Sequence, residues 1–215
     1  MWKSFGKNKG KSTKVRGIMI YKKYIKRLID LILAIIALPF VLIICLIFGI
    51  LIYLEDRGDV FYIAKRRGIN GSIFGMYKLR SMKMNAPDIR NKDNSTFNSS
   101  NDPRVTNIGK ILRKTSIDEL PQVFNILKGD MSWIGPRPNN PSKVYEDMTN
   151  VEKKRLSIRP GVTGYSQAYY RNSISQAEKL EKDVYYAENL NFIFDVKIII
   201  QTVKSVLLQK NINTN

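Results

Sequence analysis

The chain contains no histidine and one cysteine, and its 36 lysines and arginines stand against only 18 acids. Without histidine there is no Ser-His or Cys-His dyad, no imidazole metal ligand and no imidazole base. Cys45 is alone and lies inside an apolar run, so no disulfide forms within the chain, which suits a catalytic domain in the reducing cytosol. The shortage of acids leaves a net charge of +18. It is shared evenly: residues 1–30 hold ten bases and one acid, Asp30, and the remainder holds 26 bases and 17 acids. Such a basic arm on an ordinary domain would suit nucleic acid, but beside a long apolar segment it fits an anionic membrane surface better. A length of 215 residues suits one domain, or one domain with an anchor.

Charge is also missing from Leu31–Leu54, LILAIIALPFVLIICLIFGILIYL. As a straight helix these residues reach roughly 36 Å, enough to cross a ~30 Å hydrocarbon core. The run is too long for the core of a secretory signal, and no small-residue cleavage site follows. Pro39 interrupts it by removing a donor from the helical ladder. A break there gives halves of about 12 and 22 Å, lengths that let the chain enter one leaflet and return. The flanks bear on the choice. Bases precede the run and Lys65, Arg66 and Arg67 follow it, so a simple span would place one basic flank outside. A re-entrant hairpin and a kinked span both remain open.

The organisation expected is a basic arm over 1–20, its first 17 residues disordered, then a membrane-anchoring helix over 21–56 broken at Pro39, then a cytoplasmic catalytic domain over 57–215. In that last part, Val60–Ala64 reads as a short strand or interfacial segment, Arg66–Gly71 as a turn, and Ser72–Met82 as a strand carrying Lys78 and Arg80. Asn85–Pro103 is a polar loop with two glycosylation-like triplets that matter only in a secreted domain. Helices are expected over Val105–Lys114, from the acids at 118–119 through Leu127 with Gly129 closing it, over Val144–Leu156 and over Ile174–Glu188. Arg159–Gln167 reads as a glycine-punctuated loop. Phe192–Leu208 is amphipathic and suited to a membrane interface. The fold class is therefore α+β, mainly helical, with a membrane anchor and interfacial amphipathic helices.

Chemistry concentrates in Thr115–Pro138, TSIDELPQVFNILKGDMSWIGPRP. Pro121 is tolerated only in a helix's first turn, which places the helix start near Ile117 or Asp118 and both acids at its positive end. Acids there are common for structural reasons, and Ser116-x-x-Glu119 also matches a capping box, so the pair alone carries little. Adjacent helical positions point about 100° apart, which favours two different jobs over one symmetric grip. Cations add weight: Arg113 and Lys114 lie just before the acids, and Arg137 is held between Pro136 and Pro138. Lys78, Arg80, Arg159 and Arg171 are candidates to converge on the same place. Guanidinium groups bind phosphate bidentately, whereas the bland alternative for each is a solvated basic face.

From about Tyr24 the chain resembles the small bacterial sugar transferases, the monotopic phosphoglycosyl transferases that prime polyprenyl-linked glycans such as capsule and O-antigen. The blocks that carry the likeness are KRLIDLILAIIALP, RRGINGSIFGMYKLRSM, ILRKTSIDELPQVFNILKGDMSWIGPRP, RPGVTGYSQAYYRN and DVYYAENLNFIFDVKIII. The resemblance implies a Mg²⁺-dependent ping-pong transfer of a sugar phosphate from a UDP-sugar to undecaprenyl phosphate on the cytoplasmic face of the inner membrane. It makes Asp118 the nucleophile that becomes phosphosugar-bearing and Glu119 the metal-holding acid. Arg113 and Arg137 match phosphate-binding positions, and Lys78 does so more loosely. Two departures stand out. The family breaks its re-entrant helix at Ser-Pro where this chain has Leu38-Pro39, and Tyr165 replaces a frequent Trp. The rival readings are a membrane-tethered nucleic-acid-binding protein, for which the first 17 residues offer only Trp2 and Phe5 as aromatics, and an inactive scaffold relative. Nothing in the pattern selects the sugar or an oligomeric state.

Overall fold

A computed structural model describes residues 17, 19–87, 89, 102–171 and 173–208. Most of the basic arm, most of the polar 85–103 stretch and its triplets lie outside the described residues. A π-helical turn, Tyr21–Ile25, leads into helix α1, Lys26–Asp56, whose 31 residues extend about 46 Å. Pro39 lies inside it, with helical backbone on both sides of the proline. One absent donor leaves the turns on either side with their own bonds, so helical backbone can persist on both sides of a proline bend. One stripe of α1 is buried: Lys26, Asp30, Ala34, Val41, Cys45, Gly49 and Ile52. Its apolar members share a core with Phe74, Leu112, Val123 and Ile126. The other faces are bare and apolar, with Ile35, Phe40, Leu46 and Leu54 each 61–66% exposed.

Both ends of α1 are fastened to the same body. At its start, Lys26 Nζ pairs with Asp195 Oδ2 at 2.7 Å, and Asp30 accepts from Ser132 Oγ at 3.0 Å and Trp133 N at 3.1 Å. At its end, Asp56 takes both Arg80 terminal nitrogens at 2.5 Å. Glu55 there accepts the backbone N–H groups of Asn107 and Ile108 at 2.7 and 3.1 Å.

Strands β1, Phe61–Arg67, and β2, Ile73–Leu79, form an antiparallel hairpin, with Ile63 opposite Tyr77 and Lys65 opposite Gly75. β1 runs past the expected strand into the expected turn, which narrows to residues 68–72. Gly71 there has φ +82°, a left-handed backbone that suits glycine. Helix α2, Asn107–Thr115, begins at Thr106, whose side chain accepts from Gly109 N, and stops at Ser116 in the left-handed region. A single 3₁₀ turn, Ile117–Glu119, separates it from α3, Gln122–Lys128, which ends at Gly129 with φ +94°.

β3, Ser132–Ile134, pairs in parallel with β4, Gly161–Thr163, so the stretch read as a loop over 159–167 contains a strand. Periodicity cannot reveal three residues. The pair is drawn tight at its end: a Cβ on Gly161 would lie 2.1 Å from Gly135 N. Between them, α4 spans only Asn150–Arg155, shorter than the expected 144–156, because Thr149 and Glu152 form a capping box that sets its start. After β4 come α5, Tyr165–Tyr169, α6, Gln176–Asn189, and α7, Phe192–Leu207. α7 turns Asp195, Ile198 and Ser205 inward and leaves Phe192, Ile193, Ile200 and Val203 half exposed or more, the amphipathy expected of it. Tyr21, Ile134, Tyr186, Leu190 and Ile198 form a second core beneath it.

Candidate active site

Asp118 and Glu119 are presented by the break between α2 and α3. Ser116, at φ 59°, ends α2 with its N–H on Arg113 O and Leu112 O, and the chain makes one 3₁₀ turn before Pro121 opens α3. The expected capping box is absent: the Ser116 side chain caps nothing here, since its own left-handed backbone serves the preceding helix. The acids therefore precede α3 rather than occupy its first turn. A non-glycine residue in this region costs on the order of 1 kcal/mol, which the flanking helices must hold in place.

Lys78 reaches across from β2. Its Nζ donates to Glu119 Oε1 at 2.6 Å and stands 3.9 Å from Asp118 Oδ2. Arg137 Nη2 donates to the same Oε1 at 3.0 Å, its side chain 53% exposed. Arg113, at the end of α2, donates from Nε to Ser81 Oγ at 3.0 Å, and its charge acts on Asp118. Four of the expected groups are thus gathered around Asp118: Glu119, Lys78, Arg137 and Arg113.

The two acids differ in electrostatics. Burial pushes the Asp118 carboxyl up, Lys78 pulls it partly back, and the neighbouring Glu119 charge adds to the rise. Burial would raise Glu119 as well, but the Arg137 and Lys78 charges and hydrogen bonds overcome it and hold the carboxyl well below the usual range. Arg113 is lowered by burial, against which Asp118 and Asp102 act.

Other expected site residues lie elsewhere. Arg80 is buried and committed to Asp56, to Asp59 O through Nε and to Met82 O at 3.2 Å, so it braces the end of α1. A residue two positions from Lys78 on a strand shares its face, but here an acid on α1 claims it first. Arg159 donates from Nε to Gly129 O at 2.8 Å, closing α3. Lys114 is exposed.

Three buried residues that the sequence did not single out hold the Arg137 turn. Arg155 donates from Nη2 to the Arg137 carbonyl at 2.6 Å and from Nε to Asp183 Oδ2 at 2.8 Å, and Ser166 Oγ donates to Asp183 Oδ1 at 2.6 Å. The two prolines are therefore not the only brace. No local signal marked Asp183, which follows Glu181 and Lys182 on a charged helix and is told apart only by its buried partner.

Among the described residues, no three acidic, Cys or His side chains gather as a metal cluster. A divalent cation would have only Asp118 and Glu119. Both cations sit on Glu119 Oε1, which leaves its Oε2 for a metal. Two carboxylates completed by substrate phosphate oxygens are a donor set that Mg²⁺ accepts.

Residues 21–209 match the family model described as bacterial sugar transferase, and the chain belongs to that family. It is 44% identical over 163 residues to the galactosyl transferase CpsE of Streptococcus agalactiae, covering 72% of this chain and 36% of that protein. It is 38% identical over 191 residues to a UDP-N-acetylgalactosamine-undecaprenyl-phosphate N-acetylgalactosaminephosphotransferase of Aeromonas hydrophila, 86% of this chain and 44% of the relative. The sugar transferase EpsL of Bacillus subtilis, uncharacterized, is 38% identical over 190 residues, 87% of this chain and 90% of that protein. The chain thus spans less than half the length of the first two relatives.

Proposed function

We propose that the chain transfers a sugar phosphate from a UDP-sugar to undecaprenyl phosphate, through a phosphosugar carried on Asp118, as the first membrane step of a bacterial surface glycan. The observation that carries this reading is the unequal acid pair. Glu119 is gripped by Lys78 and Arg137, while Asp118, beside it, has no hydrogen bond as close as the 2.6 Å one to Glu119. The Aeromonas relative's name supplies the donor and acceptor chemistry.

Arg137, Lys78 and Arg113 would bind the diphosphate, their charges offsetting the repulsion between an anionic nucleophile and an anionic phosphorus. Glu119 would hold Mg²⁺ through Oε2; when bound, the ion neutralises phosphate charge and fixes the diphosphate. Asp118 then attacks the sugar-bearing β-phosphorus. A carboxylate O–P bond forms, the bridging P–O bond breaks, and the electron pair leaves on the UMP oxygen. In the second half, an oxygen of the lipid phosphate attacks the same phosphorus and the electron pair returns to the Asp118 carboxylate. The lipid phosphate is already ionised and needs no imidazole base, so the absence of histidine is no obstacle.

The anchoring of α1 supports a one-sided membrane seat. A bilayer-crossing helix puts its ends on opposite faces, yet both ends of α1 hold polar contacts to one body, and its outer faces are bare and apolar. The catalytic part would face the cytoplasm beneath it. The test of the function is UMP release from a panel of UDP-sugars, with and without undecaprenyl phosphate. One donor should give one equivalent of UMP per enzyme without acceptor and continuous release with it. UMP that appears only with acceptor would remove the covalent step, and none with any donor would remove the reaction.

A further inference from the structure

β2 has two edges, and β1 covers only one. On the other, Asn125 of α3 stands in for a strand. Its Oδ1 accepts from Tyr77 N at 2.9 Å, its Nδ2 donates to Gly75 O at 2.7 Å, and its side chain is fully buried. The Nδ2 also donates to Asp130 Oδ2 at 3.2 Å, so both amide hydrogens and the carbonyl oxygen are used. A bare strand edge would leave these backbone groups buried and unpaired, at a cost comparable to a lost hydrogen bond each.

The location gives this pairing its consequence. Tyr77 is the residue before Lys78, and α3 is the helix that follows the Asp118–Glu119 turn. Phe124 and Lys128 add contacts to the Tyr77 ring, at 6.3 Å between centroids and 4.6 Å from Nζ to centroid. Those contacts, with the hydrogen bond from the exposed Lys128 Nζ to the Tyr77 hydroxyl, resist separation of the two elements but are made by side-chain ends that can follow a shift along the strand. A two-point hydrogen bond between one side chain and two backbone groups fixes position along the strand.

We infer that Asn125 is a positioning residue, which sets the register of β2 against the acid-bearing turn and so places the Lys78 ammonium on Glu119 and beside Asp118. Its use in catalysis rests on the function proposed above; the placement of Lys78 does not. A one-residue slip of β2 would turn Lys78 to the opposite face, and smaller shifts would lengthen its 2.6 Å contact.

The experiment uses the whole 215-residue chain in lipid nanodiscs. Asn125→Asp keeps the shape and replaces the donor with an acceptor facing Gly75 O and Asp130; Asn125→Ala, which removes both strand bonds, is read if the first variant does not fold. The first readout is the rate of amine acylation at each lysine, followed by mass spectrometry. Lys78, paired with Glu119, should react several-fold faster in the variant, while Lys153 and Lys154 keep their rates. The second is a double-mutant cycle with Lys78→Met. Asn125→Asp should lower kcat/KM roughly tenfold or more alone and much less once Lys78 is gone. A role confined to stability predicts unchanged Lys78 labelling in the folded variant and additive rate effects, and either result overturns the inference. If the wild type releases no UMP, the proposed reaction fails and the labelling alone decides the placement.

Discussion

Asp118 and Glu119 are consecutive residues of one 3₁₀ turn, yet burial pushes the first carboxyl up while paired cations hold the second down. Unlike environments at adjacent positions imply unlike work. Asp118→Asn should abolish both UMP release and the covalent phosphosugar, a fall of at least about a thousandfold, or ~4 kcal/mol. The fold should tolerate it. The amide keeps the shape and removes a charge that burial disfavours, so the unfolding midpoint should stay equal or rise. Retained turnover would strip Asp118 of its proposed role.

Glu119 has the opposite profile. It separates Lys78 from Arg137 by pairing with both through one oxygen. Glu119→Gln should cost activity and also stability, because two cations then face each other without an acid between them. Chelation by EDTA should silence the wild type and Mg²⁺ should restore it. Activity indifferent to the chelator would leave Glu119 as an ion-pair residue only.

The clustering of Glu119, Lys78, Arg113 and Arg137 around Asp118 was legible because its signals are local: an acid pair, a proline that must open a helix, and an arginine between two prolines. Elements set by tertiary contacts were not. Arg80 looked like a partner of Lys78 until Asp56, 24 positions earlier, is found on it. β4 is three residues long and exists because β3 lies beside it. Thr149 and Ser175 open capping boxes, T-x-x-E and S-x-x-E, that place the starts of α4 and α6, and overlooking the first is what put the expected start of α4 at Val144.

The fastening of α1 leads to a topology prediction. Labelling sites introduced next to Tyr21 and next to Arg57 should both be shielded from a membrane-impermeant reagent applied from the periplasm, and both should react in inverted vesicles. One site reacting on each side would mean a crossing helix and would sink the one-sided seat. Asp56→Ala should loosen the second fastening. It leaves Arg80 buried without its bidentate acid, so the loss should be of the order of 3–5 kcal/mol.

Arg155 and Asp183 give a prediction that separates stability from function. Both side chains are under 10% exposed, and their pair sits directly behind the Arg137 carbonyl. Asp183→Ala should destabilise the protein by about 3–5 kcal/mol, since it strands a buried guanidinium. Replacing the set with apolar groups, Arg155→Met with Asp183→Leu and Ser166→Ala, should recover much of that loss because no charge or hydroxyl is left unpaired. Activity should not recover with it. The Arg137 carbonyl would still lack its donor, and the turn would lose the anchor that aims the guanidinium at Glu119. Calorimetry and UMP release measured on the same samples make the comparison. A triple variant that regains both stability and wild-type turnover would show that the two prolines suffice to hold Arg137.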